Sequence, residues 1–129
     1  MEMKVHVIVA GSRKFQDYEY LEKVLNKLLA DFKNENEITI ITGAANGADR
    51  LGSEFAINNG YELKEFPADW SKYGNVAGFV RNKQMIDYLI TTDGNKMLVA
   101  FWNGKSSGTR DIISLARRKG VNVLVVPIL

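Results

Sequence analysis

Three short stretches of the 129-residue chain bring glycine, hydroxyl and basic side chains together: GSRKF from Gly11, TGAANGAD from Thr42 and NGKSSGT from Asn103. Gly11 lets the backbone turn tightly and approach a ligand, Ser12 offers a hydroxyl, and Arg13 a rigid fork of donors suited to phosphate or carboxylate. Gly43 and Gly47 bracket a loop that runs into a helix start, where free backbone N–H groups and the helix dipole attract anions. Gly104, Ser106, Ser107, Gly108 and Thr109 repeat that arrangement. Each loop alone also reads as ordinary turn punctuation. Their agreement points to an anionic, nucleotide-like ligand.

A fourth stretch, FPADWSKYGNVAGFVRNKQM, is longer and mixes Asp69, Trp70, Lys72 and Tyr73 ahead of Arg81 and Asn82. Trp70 or Tyr73 can stack on a base and Arg81 can meet a phosphate across a cleft. The plainer alternatives are a Trp70 covering a sheet edge and an Arg81 paired with a surface carboxylate. Asp49, Asp69 and Asp111 can hold a magnesium ion through a bound phosphate, although helix capping is the simpler task for Asp49 and Asp111. No cofactor is otherwise expected. The single histidine, His6, lies inside an apolar run, and with no cysteine and no H-E-x-x-H a transition-metal site is not expected. Two familiar phosphate fingerprints are missing. The first loop lacks G-x-G-x-x-G, and Gly104–Ser106 lacks a Walker A glycine, since Val99 stands five residues earlier.

These residues need a scaffold that gathers loops at one edge. Nearly continuous apolar and β-branched runs predict strands buried on both faces at Val5–Ala10, Ile38–Ile41, Met97–Trp102 and Val121–Val126, with a weaker one at Leu63–Phe66. Leu21, Val24, Leu25, Leu28, Leu29 and Phe32 recur at helical spacing behind a capping Asp17, predicting a helix over Tyr18–Lys33. Further helices are predicted at Ala48–Asn59, closed by Gly60, at Val76–Ile90, and at Thr109–Lys119, closed by Gly120. Arg117, Arg118 and Lys119 complement the negative end of that last helix. Strict β-α alternation with short connections predicts an α/β fold: one doubly wound, mostly parallel five-stranded sheet with helices on both faces. In such sheets ligands bind beyond the carboxyl ends of the strands.

Composition narrows the function classes. The length suits a single domain spanning residues 1–129. Seventeen basic against fifteen acidic residues leave a net charge of +2, which argues against a protein that coats nucleic acid. Without cysteine, a secretory leader or an apolar run of membrane-spanning length, the expectation is a cytoplasmic protein that does not enter membranes.

The stretches GSRKFQD, ITGAANGADRLG, FPADW, AGFVRNKQM and AFWNGKSSGT together resemble the SLOG superfamily, and within it the YspA-like (YpsA-related) branch. LOG-type phosphoribohydrolases and the DNA-processing protein DprA are similar at greater distance. The resemblance implies a Rossmann-like fold, a nucleotide or nucleotide-derived ligand such as a nucleoside phosphate, ADP-ribose or NAD, and a role as a sensor or signalling domain. Homodimers are common among such relatives, and the helix carrying Phe79 and Tyr88 offers a surface for one. LOG enzymes carry Pro-Gly-Gly-x-Gly-Thr-x-x-Glu and an arginine from an earlier helix. Gly108 and Thr109 match the Gly-Thr, and Arg81 matches the arginine in position. Lys105 and Ser106 replace the glycine pair, however, and Ile112 stands where the glutamate belongs. An isoleucine cannot steady positive charge on a ribose as its glycosidic bond breaks. Asp111, one residue away, points about 100° around the helix. Binding is therefore expected over turnover; the alternative is an altered nucleoside-monophosphate hydrolase in which Arg81 and Asp111 are the catalytic candidates.

Overall fold

In the first strand, β1 (Val5–Gly11), Val5, Val7 and Val9 face one side and Ile8 and Ala10 the other, and all five are buried. A strand apolar on both faces requires cover on both faces. The computed structural model, which describes residues 4–32, 34 and 37–129, supplies it. β2 (Ile38–Thr42), β3 (Glu62–Glu65), β4 (Asn95–Trp102) and β5 (Asn122–Pro127) join β1 in the order β3-β2-β1-β4-β5, with every pair parallel. On one face Leu21 and Leu25 of α1 (Tyr18–Leu28) and Phe55 and Ala56 of α2 (Ala48–Asn59) pack on Val7, Val9, Ile40 and Phe101. On the other, Met85, Ile86 and Leu89 of α4 (Ala77–Thr91) and Ile112, Ile113 and Ala116 of α5 (Ser107–Arg118) pack on Ile8, Ile41, Leu98 and Ala100. The fold is thus the α/β Rossmann-like one that alternation predicts, with a wholly parallel sheet.

Local signals explain most boundaries. The Asp17 carboxylate accepts from the Tyr20 amide at 3.1 Å to start α1, and Gly60, at φ 70°, closes α2 in the left-handed conformation. Most elements shift by a residue or two from the sequence expectation, β4 starting at Asn95 and α5 at Ser107, and two departures have a visible cause. Leu29 closes α1, after which Ala30 and Phe32 donate to carbonyls three residues back. This tighter winding keeps Phe32 against the core while the helix has already ended, so apolar spacing outlasts helical hydrogen bonding. The expected helix end at Lys33 lies outside the described residues. The fourth stretch also carries its own one-turn helix, α3 (Trp70–Tyr73), and a 3-10 turn, Gly74–Val76, so Val76 precedes α4.

Candidate functional site

From β1 the chain builds outward to β2 and β3 on one side, while β4 and β5 lie on the other. The crevice between the carboxyl ends of β1 and β4 is where doubly wound sheets bind ligands. A cleft of 340 Å³ opens there, lined by Ala10 and Gly11 from β1, by Arg81, Asn82 and Met85 from α4, and by Ser106–Thr109 and Ile112 at the start of α5. No Cβ fits at Gly11, because it would overlap the Phe101 carbonyl on β4. The two strand ends can approach only there as glycine.

The most constrained side chain in the cleft is Arg81, 8% exposed. Its Nη1 donates to the Gly43 carbonyl at 2.5 Å and lies 4.0 Å from Asp49 Oδ2, and its Nε donates to Asn82 Oδ1 at 3.1 Å. Among the described residues Nη2 has no hydrogen-bond partner. Gly43 is required by contact: a Cβ would fall on the guanidinium and 2.7 Å from Asp49 Oδ2. Asp49 is itself 5% exposed. Burial pushes its pKa up to about 6, against the opposing pull of Arg81, of the Ala45 and Gly43 amides, and of Arg13. Burial likewise lowers the pKa of Arg81, Asp49 opposing and Arg13 adding to the effect. Asp49, in the first turn of α2, thus supplies from within the chain the negative charge that this helix end attracts.

The start of α5 is different. Its N-cap, Ser106, makes no side-chain bond to the helix backbone and instead pairs its Oγ with Thr109 Oγ1 at 3.2 Å. The first-turn amides of Ser107, Gly108 and Thr109 are among those an α-helix leaves without internal acceptors, and all three residues line the cleft. A Cβ on Gly108 would meet nothing within 4 Å, so the approach to these amides is clear. Asn82 Nδ2 donates to the Gly108 carbonyl at 3.0 Å and to Asp111 Oδ2 at 3.1 Å, tying α4 to α5.

Across the cleft the Arg13 guanidinium sits 5.4 Å over the Trp70 ring. Beyond this pair lies a second hollow of 250 Å³, reached by the loop Gly43–Asn46 and by Pro67 and Ala68. That loop is held by a directed relay. The Ala44 amide donates to Thr42 Oγ1, and the Ser53 hydroxyl, 2.8 Å from Thr42 Oγ1, gives its proton to Glu65 Oε2 at 2.9 Å. The Thr42 proton is left to bridge to Ser53. Ala44 itself is at φ 57°, strained for a residue with a Cβ.

The model of the YspA, cpYpsA-related SLOG family matches residues 5–73, just over half of the chain, and includes both the first two loops and Trp70. The chain belongs to that family. A solved structure, DNA processing protein A (DprA) from Streptococcus pneumoniae, superimposes with a TM-score of 0.72 at 19% identity, covering 99% of this chain and 51% of that one. The chain therefore spans about half the length of that protein, and the likeness is one of fold. No curated protein matches the sequence.

In this SLOG-family chain nine residues expected at a binding site line the main cleft: Gly11, Arg13, Asp49, Trp70, Arg81, Asn82, Ser106, Gly108 and Thr109. Gly43 lines the adjoining hollow beside Arg81. Four others lie outside both. The Ser12 hydroxyl turns to the Lys14 amide while its carbonyl receives the Ala48 amide. Gly47 presses on that carbonyl, where a Cβ would not fit. Asp69 caps α3 by accepting from the Lys72 amide at 3.1 Å and from the Ser71 hydroxyl at 2.8 Å. Gly104 gives its carbonyl to Arg110 at 3.3 Å. Asp111 is held by Asn82 and does not line the cleft, whereas Ile112 does. The three aspartates considered for magnesium are therefore not brought together, and no group of three or more metal-ligating side chains occurs among the described residues.

Trp102 packs, donating from Nε1 to the Ser106 carbonyl at 3.1 Å. Phe79 lines the cleft, while Tyr88, nine residues further along α4, packs against Phe66. Sequence reasoning missed Ala45, Asn75 and Gly78 as lining residues. Gly78 was legible in principle: three residues before Arg81 on a helix puts it on the same side, and a Cβ there would stand 3.7 Å from both Arg81 Nη2 and Trp70. No helix among the described residues is long and apolar enough to cross a membrane.

Proposed function

We propose that this SLOG-family domain binds a nucleotide or nucleotide-derived ligand in the cleft and acts as a sensor or signalling module. The observation that carries the reading is the pairing of a buried guanidinium, with Nη2 left unpartnered, and the open first turn of α5 on the same cleft. Both are donors without acceptors, and a phosphoryl group satisfies both. Arg13 adds a second cation, and Trp70, 48% exposed, offers a ring face to a base. Thermal-shift screening against nucleoside mono- and diphosphates, ADP-ribose and NAD tests it. Stabilisation by at least one is expected, and loss of Arg81 as Arg81→Ala should weaken that ligand by about 2 kcal/mol, roughly thirtyfold. Gly108→Leu should fold normally, given the free space around its Cβ, and still bind poorly. No stabilisation of a well-folded protein by any of these ligands rejects the reading.

One observation favours a second reading, a nucleoside-phosphate hydrolase. Of the three aspartates near the cleft only Asp49 lines it, and its pKa near 6 suits proton transfer. Against it, Ile112 presents an apolar surface where LOG enzymes carry their glutamate. Release of free base from a nucleoside monophosphate, abolished in Asp49→Asn, would establish turnover; measurable binding with no release over hours would exclude it.

A further inference from the structure

The two edges of the sheet are protected unequally. β3, at one edge, is four residues long and exposes Glu62, Lys64 and Glu65, charges that discourage another strand from adding there. β5, at the other, reads NVLVVP and carries no charged residue. The Ile128 amide donates to the Trp102 carbonyl at 3.1 Å, so the backbone groups of Asn122, Leu124 and Val126, at the same parity, turn toward β4. Those of Val123 and Val125 turn outward, and among the described residues no strand pairs with them. Pro127 shares the outward parity but has no N–H, and so ends the open edge. An extended segment laid alongside would meet two amides and two carbonyls at strand spacing.

The two faces beside this edge differ in chemistry. On the α1 side Leu124, in register with the buried Val99, is 41% exposed. On the other side α5 packs over β4 and β5. Its one acidic residue, Asp111, is tied to Asn82 of α4. Arg110, Ser114 and Arg117, at i, i+4 and i+7, therefore lie on the opposite flank, above the free edge, and all three are exposed. The Arg110 guanidinium stands 5.6 Å over the ring of Trp102, the residue in register with Pro127. A strand that alternates apolar and acidic side chains matches both faces, one set on Leu124 and the other toward the arginines. A second copy of β5 does not, because a two-fold pairing centred on Leu124 would set Arg110 of one copy against Arg117 of the other. We propose that the β5 edge docks an extended, acidic segment of a partner protein, added as a sixth strand. None of Arg110, Arg117, Val123 and Val125 lines the cleft, so this surface is independent of the nucleotide reading.

Fluorescence polarisation of the full chain with two labelled heptapeptides, one alternating valine with glutamate and one valine with lysine, tests it at low ionic strength. The acidic peptide should bind at least about tenfold more tightly than the basic one, and added salt should weaken it. Val125→Pro removes an outward amide that β4 does not use and should abolish that binding. Arg110→Glu combined with Arg117→Glu, both at exposed positions, should reverse the preference between the peptides. Melting curves verify that the variants fold. A copy of the acidic peptide N-methylated at every residue, which keeps its charge and loses its strand hydrogen bonds, should not bind the parent protein. Equal affinity for the two peptides, no binding of either, or binding of the N-methylated copy overturns the inference, and so does a preference that survives the charge reversal. A chain that sediments as a dimer, dissociated by Val125→Pro, also overturns it by giving the edge to a second copy. Each of these outcomes leaves the nucleotide reading standing.

Discussion

Asp49 and Arg81 make opposite demands on the protein. Each is buried at a cost that the other offsets only in part at 4.0 Å. Because the folded protein raises the Asp49 pKa to about 6 from an ordinary value of 3.8, its contribution to stability is fully present below about pH 4 and is lost as pH rises through 6. Asp49→Asn should therefore be more stable than the parent at pH 7.5 by about 1–2 kcal/mol, the gap closing near pH 4. Urea unfolding at both pH values checks this; a gap that is constant or reversed would refute it. Gly43→Ala tests the same contact from the backbone side. Its Cβ would displace the guanidinium, so stability should fall by about 1–3 kcal/mol and nucleotide-induced stabilisation should disappear. Residue type and position singled out Arg81 in the sequence, since a basic side chain near the start of a core helix is placed to reach across a cleft. The contact that fixes it, to a carbonyl 38 residues earlier, left no sequence signal because any residue supplies a carbonyl.

At the scale of elements, the strands and the central helices were legible because apolar runs buried on two faces admit few other readings. α2 was readable to both ends, from the residue after Gly47 to the left-handed Gly60. Loops were less so. The three glycine-rich loops look equivalent as sequence, yet they close differently: before α2 the Asp49 carboxylate accepts from the Ala45 amide and the Ala48 amide bonds the Ser12 carbonyl, whereas before α5 Asn103 Oδ1 accepts from the Lys105 and Ser106 amides and the first-turn residues Ser107–Thr109 face the cleft. Ser12, Gly47, Asp69 and Gly104 thus shape turns in the structure, because a glycine or hydroxyl that ligand binding could use is equally what a tight turn needs. The Gly43–Asn46 loop yields its own prediction. Ala44 at φ 57° carries left-handed strain that glycine would not, so Ala44→Gly should be stabilised by about 0.5 kcal/mol after the entropy of the unfolded chain is counted. A clear loss of stability in chemical denaturation would show that the Ala44 methyl packs usefully.

Across the whole molecule the two ends of the sheet have separate chemistry. The cleft lies at the carboxyl ends, and at the amino ends His6 is half-buried beside Thr39, Glu62 and Asp93. Its Nδ1 is without a hydrogen-bond partner among the described residues, and burial lowers its pKa below 6.5, opposed in part by Glu62. The fold therefore holds the neutral imidazole. Its stabilising contribution is present above pH 6.5 and is lost as pH falls through the lowered value. In an Asp49→Asn background, which removes the opposing titration, the melting temperature should drop between pH 6.5 and 5, and His6→Gln should flatten that drop without changing ligand affinity. Nucleotide binding in the carboxyl-end cleft is tested most directly by the amide chemical shifts of the isotope-labelled protein titrated with ADP-ribose. A single saturable set of changes is expected, centred on Gly11, Arg13, Ala45, Gly78 and Ser107–Thr109, with His6 and Thr39 unmoved. Changes clustered around His6, or none at all in the folded protein, would contradict it.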